Sequence, residues 1–265
     1  MGFDSGCIVN VLAKQSAWGR CGSDFISVDM PCPDSSVMRG VQWGSADELL
    51  TAAFWKYQSY MRRIRVQPND FCIGRNLMEE VAVCLLGGYG MPAEIGLAAF
   101  ERLREENLLD GHAAPDSIEA RLAAPFKLSG RERRYRFPRQ KARYLSASLE
   151  ALRAPGVPTQ DIELRDFLTS LPGIGPKTAS WVVRNHLGSD NVAILDVHIV
   201  RAGIHIGLYP MDADPSKRYR EMEARFIEFC SAIEEPTSLV DAIMWDFMRR
   251  LGPIARTQSP SAPVQ

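Results

Sequence analysis

The chain has 265 residues, 46% hydrophobic and 24% charged, which is typical of a soluble globular protein with one large or two small domains. Its 31 lysines and arginines nearly balance 32 aspartates and glutamates, so the net charge of −1 excludes nucleic-acid binding through overall charge, and any basic surface must be local. No run of about 18 apolar residues is present and the N-terminus does not resemble a secretory signal, so we expect no membrane association.

The cysteines and histidines give no metal pattern. Six cysteines are scattered without a C-x-x-C spacing, and the four histidines form no H-E-x-x-H motif. This usage indicates reduced thiols and no catalytic zinc, so we expect a cytoplasmic protein without a metal site.

Helical periodicity dominates from Ser45 onward, where a capping box with Glu48 is predicted to start the first helix. Residues 1–44 are irregular, and we interpret them as an N-terminal extension that carries short strands. Strand-like alternation is almost absent afterwards, so about ten helices with short connections are predicted over residues 45–255, an all-α domain. Residues 256–265 are predicted to be a disordered polar tail. The other predicted helices outside the central motif are NLMEEVAVCLL, Pro92 to about Asn107, a short one capped by Asp116, RFPRQKARYLSASLEALR, DIELRDFLTSL, SKRYREMEARFIEFCSAI and TSLVDAIMWDFMRRL.

The central motif is LTSLPGIGPKTASWVV, in which a tight turn over residues 171–176 joins two helices. Gly173 and Gly175 permit positive φ and leave backbone N–H groups accessible, and Pro176 suits the first helical position. Free N–H groups at a helix start can hold a phosphate oxygen, independently of base identity. The motif therefore predicts a helix–hairpin–helix that grips a nucleic-acid backbone, with a plain helical corner as the alternative.

Lys177 stands in the first turn after this hairpin, where the helix dipole disfavours a cation. A lysine that gives up its proton easily is a nucleophile that can form a Schiff base. The alternative is an ordinary solvated lysine.

Asp196 strengthens the catalytic interpretation. It follows the apolar segment NVAIL and is predicted to be the N-cap of the next helix. A carboxylate held there stays ionised, and it can stabilise a cationic sugar as the glycosidic bond breaks. It can also help to remove the proton from Lys177. The alternative is a helix cap with no further role.

These residues resemble a known family. LPGIGPKTASW followed by AILDVHI is similar to the signature of helix–hairpin–helix base-excision DNA glycosylases, and MEEVAVCLLGG and YRFPRQKARYL resemble compact members of their 8-oxoguanine glycosylase/lyase branch. The resemblance implies a two-lobed helical fold in which Lys177 attacks the sugar C1′ and Asp196 assists. It also implies that the protein is a bifunctional DNA glycosylase/AP lyase of base excision repair. The expected substrate is double-stranded DNA that contains an oxidised purine, 8-oxoguanine foremost, and the expected working form is a monomer.

Some features depart from that family. No four-cysteine cluster follows Asp196, since only Cys230 remains, which argues against the iron–sulfur type. We therefore expect no cofactor, although the hairpin carbonyls leave room for a structural monovalent cation. The chain also runs on through RRLGPIARTQSP, where compact members tend to end at a lysine, and residues 1–44 have no counterpart in the minimal enzymes.

Helical geometry predicts a base pocket. Trp181 and Arg184 share a helix face with Lys177 opposite the apolar stripe, and Asp241 and Trp245 share the corresponding face of the last helix. The two tryptophans are interpreted as aromatic walls for a flipped base, and Asp241 as the acceptor for its purine edge. Packing of each tryptophan against a neighbouring part of the protein is the alternative. The predicted stripes are Ala179, Val182, Val183 and Leu187 in the first helix and Val240, Ile243, Phe247 and Leu251 in the last.

Backbone contacts are expected from two basic groups. His198 and Arg201 begin the helix after Asp196 and are predicted to reach phosphates. The second group is an arginine cluster in which Arg139 and Arg143 are the predicted DNA contacts, with a solvated charged face as the alternative. Its members are Arg131, Arg133, Arg134, Arg136, Arg139 and Arg143.

Two other functions remain open at this point. One is a catalytically silent helix–hairpin–helix module that only binds DNA. The other is a glycosylase-like protein of a bacterial anti-phage defence system with nucleotide signalling (CBASS type), which acts on a modified guanine or another nucleobase.

Overall fold

The computed structural model describes residues 14–65, 71–88 and 90–252, so the predicted tail over residues 256–265 lies outside the described residues. Within them the chain forms ten helices and three two-stranded antiparallel sheets, which confirms a mostly helical fold. The strands are β1 (Gln15–Cys21), β2 (Asp24–Met30), β3 (Ser36–Met38), β4 (Val41–Gln42), β5 (Phe126–Leu128) and β6 (Arg131–Arg133). The helices are α1 (Ala52–Arg65), α2 (Leu77–Leu86), α3 (Ala93–Glu105), α4 (Pro115–Ala123), α5 (Pro138–Leu152), α6 (Asp161–Thr169), α7 (Pro176–Leu187), α8 (Val197–His205), α9 (Pro215–Ala232) and α10 (Thr237–Leu251).

The chain divides into two compact units. Unit 1 comprises residues 1–67, 197–213 and 228–265, and unit 2 comprises residues 68–196 and 214–227. The predicted boundary at residue 44 stays a prediction. None of the described helices is long and apolar enough to cross a membrane.

Unit 1 contains the short strands predicted for the N-terminal extension. β1 and β2 pair from Gln15 with Met30 to Cys21 with Asp24. The hairpin is attached to α1 because Tyr57 donates a hydrogen bond to the Trp18 carbonyl at 2.8 Å.

The first helix begins later than the sequence predicts. Ser45 donates to the carboxylate of Asp47 in a turn, and α1 starts at Ala52 instead. The side chain of Thr51 accepts a hydrogen bond from Phe54 N at 3.0 Å and so acts as the N-cap. The predicted capping box with Glu48 is wrong because a closer hydroxyl satisfies the first N–H groups.

Unit 2 is built around α2, whose residues Val81 to Leu86 are all buried. The fully buried carboxylate of Glu80 accepts hydrogen bonds from Ile73 N at 3.0 Å, Gly74 N at 2.7 Å and the Asn185 side chain at 2.6 Å. This carboxylate therefore links the start of unit 2 to α2 and α7, and its burial is tolerated because each bond is charge-assisted.

A short β-hairpin in unit 2 corrects the expectation of almost no strands after Ser45. β5 and β6 are joined by Ser129 and Gly130, which both have positive φ, 48° and 74°. This is the backbone of a two-residue hairpin turn. Strands of three residues are too short to give a recognisable alternating pattern.

Candidate active site

The predicted hairpin is present, with α6 leading into a tight turn and α7 following at Pro176. Gly173 has a φ of +77°, and a Cβ atom there would overlap with the ring of Tyr144 from α5. Ile174 is buried and anchors the turn in the hydrophobic core of unit 2. Gly173 is thus required twice, for its left-handed backbone and for the close approach of the tyrosine ring.

Gly175 differs from Gly173 in its backbone. Its φ is −90°, so it does not use the positive φ that a glycine permits, and a Cβ atom there would meet nothing within 4 Å. It is the N-cap of α7 and supplies no side-chain cap. An external acceptor, such as a phosphate oxygen, can therefore approach the first N–H groups of α7.

Lys177 lies in the first turn of α7 and is partly exposed. Its Nζ atom is 4.0 Å from the position that a Cβ of Gly88 would occupy, which places the amine beside the carboxyl end of α2. Trp181, one turn further on, packs its ring against the same segment, since its Cη2 atom would lie 3.2 Å from a Cβ of Gly87. The structure thus brings Lys177 and Trp181 together along the end of α2.

The face of α7 opposite its core differs in part from the prediction. Arg184 is buried, and its guanidinium lies 4.4 Å from the centre of the Phe71 ring. Leu187, predicted in the apolar stripe, is 40% exposed instead. Leu187 is the last residue of α7, directly before the left-handed C-cap Gly188.

Asp196 immediately precedes α8, which is the predicted N-cap position. The segment before it is buried through Val192, Ala193 and Leu195. This segment is irregular, so its backbone groups need partners from elsewhere in the protein.

Glu223 and Tyr219 of α9 supply those partners and link the Asp196 segment to α7. Glu223 accepts hydrogen bonds from the Ser180 hydroxyl at 2.7 Å and from Ala193 N at 3.1 Å. The Tyr219 hydroxyl donates to the Ala193 carbonyl at 2.7 Å and accepts from Leu195 N at 3.2 Å. One carboxylate therefore holds both the helix that carries Lys177 and the segment that leads to Asp196.

This link was not predicted from the sequence, which carries only a weak signal for it. Tyr219 and Glu223 are one helical turn apart on the buried side of α9, next to Met222 and Phe226. Burial raises the pKa of Glu223, and the hydrogen bonds from Ser180 and Ala193 and the charge of Arg165 at 2.9 Å oppose that shift.

Lys141 is a second functional candidate that the sequence did not reveal. It is 7% exposed, and its Nζ donates a hydrogen bond to the Leu85 carbonyl at 2.6 Å. The hydroxyl of Tyr135 donates to the next carbonyl, that of Leu86, at 2.7 Å. Burial, and then the positive charge of Lys177, lowers the pKa of Lys141.

The hairpin, Lys177 and Asp196 all lie within a stretch that matches a known family. A family model described as 8-oxoguanine DNA glycosylase matches residues 70–235, which is more than half of the chain. The chain belongs to this family.

Similar proteins of the 8-oxoguanine DNA glycosylase family cover the chain in part. An 8-oxoguanine DNA glycosylase/AP lyase of Metallosphaera sedula is 36% identical over 116 residues, or 42% of this chain and 57% of the relative. The chain thus spans little more than half the length of that relative. The crystal structure of the 8-oxoguanine DNA glycosylase of Thermotoga maritima matches with 25% identity and a TM-score of 0.51, over 64% of this chain and 78% of that one. A trapped covalent endonuclease III–DNA intermediate shares the fold, with 21% identity and a TM-score of 0.56 over 81% of this chain and 94% of that one.

In this member of the glycosylase family the predicted arginine cluster is exposed on unit 2. Its first members lie on and after β6, and Arg139 and Arg143 lie on α5. Arg136 stacks 5.5 Å from the centre of the Phe137 ring, which is itself exposed at the start of α5. An exposed aromatic ring beside an arginine is a surface that suits nucleic acid, and Phe137 was not among the residues predicted from the sequence.

The remaining predicted site residues belong to unit 1. Trp245 on α10 is exposed, with the His198 ring edge-on at 6.5 Å and the Arg249 guanidinium at 5.0 Å. Arg201 on α8 is partly exposed. Asp241, one turn before Trp245 on α10, is only 2% exposed, whereas Trp245 is 40% exposed. The roles of these residues toward a base or a phosphate stay predictions.

Among residues 14–65, 71–88 and 90–252, no three or more histidine, cysteine, aspartate or glutamate residues are grouped so that they could hold a metal ion.

Proposed function

We propose that this protein is a bifunctional DNA glycosylase/AP lyase that excises an oxidised purine, 8-oxoguanine foremost, through a Schiff base on Lys177. One observation carries the proposal: Glu223 accepts hydrogen bonds both from α7, the helix that carries Lys177 in its first turn, and from the segment that ends at Asp196. The name of the Metallosphaera sedula relative supports this activity rather than the defence role or the silent binding module.

The chemistry follows from an amine nucleophile. The lone pair of the Lys177 amine forms a bond to the sugar C1′, the glycosidic bond breaks, and its electron pair leaves with the base, which takes up a proton. Opening of the sugar ring then gives a Schiff base, and loss of a proton from C2′ expels the 3′ phosphate by β-elimination. The carboxylate of Asp196 stabilises the positive charge that develops on the sugar.

We assign DNA binding to groups that contact phosphates, which are the same whatever the base. The uncapped N–H groups after Gly175 hold a phosphate oxygen, and Arg139, Arg143, His198 and Arg201 hold further phosphates. We propose double-stranded DNA with a flipped base as the substrate, a monomer without organic cofactor as the working form, and the cytoplasm as the compartment.

The proposal is tested by borohydride trapping on a duplex with one 8-oxoguanine. Wild-type protein should give a covalent protein–DNA complex, and Lys177→Gln should give none while it still binds the duplex. Asp196→Asn should slow excision by roughly 10²–10³-fold, the usual cost of losing a group that stabilises developing charge. Lys217→Gln is a matched control because this lysine is also on unit 2 and its side chain is 80% exposed.

Undiminished trapping by Lys177→Gln would show that another amine attacks, and the nucleophile assignment would be withdrawn. Excision of a deazaguanine or another modified guanine, with 8-oxoguanine left intact, would overturn the substrate instead.

A further inference from the structure

The outer face of the β1–β2 hairpin in unit 1 is aromatic, where the solvent-facing side of an antiparallel sheet is normally polar. Exposure alternates along both strands, and the outward side chains of Trp18 and Phe25 are 67% and 76% exposed. Arg20 pairs directly with Phe25, and Trp18 lies two residues away from Arg20 on the same face of β1. The three side chains therefore form one continuous surface near the tip of the hairpin.

The opposite face of the hairpin keeps these two rings in solvent. Val28 and Met30 are buried on that face. Gly19 lies so close to α1 that a Cβ atom there would overlap with the side chains of Tyr57 and Met61. A ring from the outer face could reach this side only if the strand slipped by one residue, which would expose the buried residues instead.

Arginines lie beside the aromatic face. The carbonyl of Trp18 accepts a hydrogen bond from the Tyr57 hydroxyl at 2.8 Å, so β1 runs along α1. The carbonyl of Arg20 accepts another from the guanidinium of Arg65, at the end of α1, at 2.5 Å. Arg62 is one turn before Arg65 on the same side of α1, and both are exposed. The basic–aromatic surface is defined here as Trp18, Arg20, Phe25, Arg62 and Arg65.

The acidic side chains of the hairpin leave the charge of this surface positive. Asp29 is on the outer face but at the end away from the tip, where it accepts a hydrogen bond from Ser16 at 2.7 Å. Asp24 alternates with Phe25 and accepts from Ser23 at 3.3 Å. Within the part of the chain that the structure describes, no ion pair joins an acidic side chain to any of the three arginines. Their charge is therefore available to an anionic partner.

We propose that the basic–aromatic surface binds single-stranded DNA, with unpaired bases stacked on its two rings and phosphates held by its three arginines. Stacking on an aromatic ring suits any base, so the site has no need of groups that read a sequence. The site goes beyond the proposed function because it uses neither Lys177 nor Asp196. Only the choice of DNA over RNA rests on that function.

The spacing of the two rings favours a single strand over a duplex. Trp18 and Phe25 are diagonal neighbours across the hairpin, a relation that separates their backbone positions by roughly 7–8 Å. Nucleotides follow one another about every 3.4 Å along each strand of a duplex. Two rings at about twice that spacing cannot both cover the faces of neighbouring stacked bases, whereas an unstacked strand offers a free face to each ring.

The test is the affinity of the full chain for a labelled oligodeoxythymidylate and for an undamaged duplex of the same length, measured by fluorescence anisotropy at several salt concentrations. An aromatic variant carries Trp18→Ala and Phe25→Ala, and an arginine variant carries Arg20→Gln and Arg62→Gln. Met211→Ala is the control, because that apolar side chain of unit 1 is 66% exposed. The duplex affinity of each sample also checks that the variant is folded.

Loss of each ring should weaken binding of the single strand by roughly 5- to 150-fold, the fold-change that corresponds to about 1–3 kcal/mol of stacking per base. Duplex affinity should hardly change. The arginine variant should lower the slope of log affinity against log salt by about 0.7 for each phosphate contact that is lost, whereas the aromatic variant should keep the slope. Met211→Ala should behave as wild type does.

An unchanged single-strand affinity in the aromatic variant would overturn the inference, as would an equal loss of affinity for both forms of DNA. Tighter binding of an oligouridylate than of the oligodeoxythymidylate would assign the surface to RNA instead. A wild-type dimer that dissociates in the aromatic variant, as seen by sedimentation, would make a second copy of the chain the occupant. Failure of borohydride trapping would remove the proposed function alone, because these affinities are measured on DNA without a lesion.

Discussion

At the scale of single residues, a substitution of Trp245 can distinguish a role in DNA binding from a role in the stability of the fold. Its ring is 40% exposed, with His198 at its edge and Arg249 over its face. By contrast, the ring of Trp55 is 1% exposed and packs between Phe54 and Phe247. Truncation of a ring that is 40% exposed should cost less stability than truncation of a fully buried ring, so the main effect of removing Trp245 should appear in binding.

Trp245→Ala should weaken binding of an 8-oxoguanine duplex by roughly 1–3 kcal/mol, the usual value of stacking between a base and an aromatic ring. Undamaged DNA, held through phosphates, should be affected far less. Both affinities and the melting temperature are measured on the one variant, with Leu187→Ala as control because that side chain is also 40% exposed. A stability loss of roughly 3–5 kcal/mol with an unchanged lesion preference would make Trp245 a core residue.

Single residues also show where helix-face patterns mislead. Asp241 and Arg184 stand opposite the predicted apolar stripes, yet both are buried. A stripe tells which face of a helix is apolar, but a second helix or loop can cover the polar face as well. Phe71 does so for Arg184.

At the scale of elements, the hairpin between α6 and α7 contains two glycines with different structural roles. Gly173 has a left-handed backbone and touches the Tyr144 ring, whereas Gly175 has an ordinary backbone in open space. Only the second is placed to let a ligand approach the start of α7.

Gly173→Ala should destabilise the fold by about 1–2 kcal/mol from its backbone alone, plus the cost of displacing Tyr144. Gly175→Ala should cost at most about 1 kcal/mol of stability as a poorer N-cap, but it should weaken binding of undamaged duplex because its methyl group faces the approaching phosphate. Urea unfolding and duplex affinity are measured on both variants. Full affinity in Gly175→Ala would mean that no phosphate approaches this helix start.

At the scale of the whole molecule, each unit contains a buried carboxylate that accepts a hydrogen bond from a serine hydroxyl. Glu223 in unit 2 accepts from Ser180 at 2.7 Å, and Glu235 in unit 1 accepts from Ser59 at 2.9 Å. Burial raises the pKa of both carboxyls above the ordinary value of 4.5. The folded protein therefore holds these protons more tightly than the unfolded chain does.

The sign of the resulting pH dependence follows from linkage. Between pH 4.5 and the raised folded values the native state binds more protons, so the contribution of these groups to stability falls as pH rises. In a Glu223→Gln, Glu235→Gln double variant, the free energy of unfolding should no longer contain this decrease with rising pH. Urea unfolding at a series of pH values gives the difference between wild type and variant, in which all other groups cancel. Parallel pH curves would show that the two carboxyls ionise as freely in the fold as in the unfolded chain.

The sequence by itself determined the features that are encoded locally. The helix predicted over NLMEEVAVCLL is confirmed as α2. In the structure Asn76 caps its start and Gly87 follows its last residue, and such caps act only on neighbouring backbone groups. The turn over residues 171–176 and the place of Lys177 in the first turn of α7 follow for the same reason. The family resemblance rested on these same local signals and is confirmed by the match over residues 70–235.

Only the tertiary structure decided which residues, far apart in the sequence, form the hydrogen bonds that position the candidate active site. Ser180 and Glu223 are 43 residues apart and Leu85 and Lys141 are 56 apart, and no periodicity links them. A buried charge is stable only where packing brings it a partner, and packing depends on every helix of the unit at once. Lys177 can therefore be recognised from its own turn, whereas the residues that position it become visible only when the chain is folded.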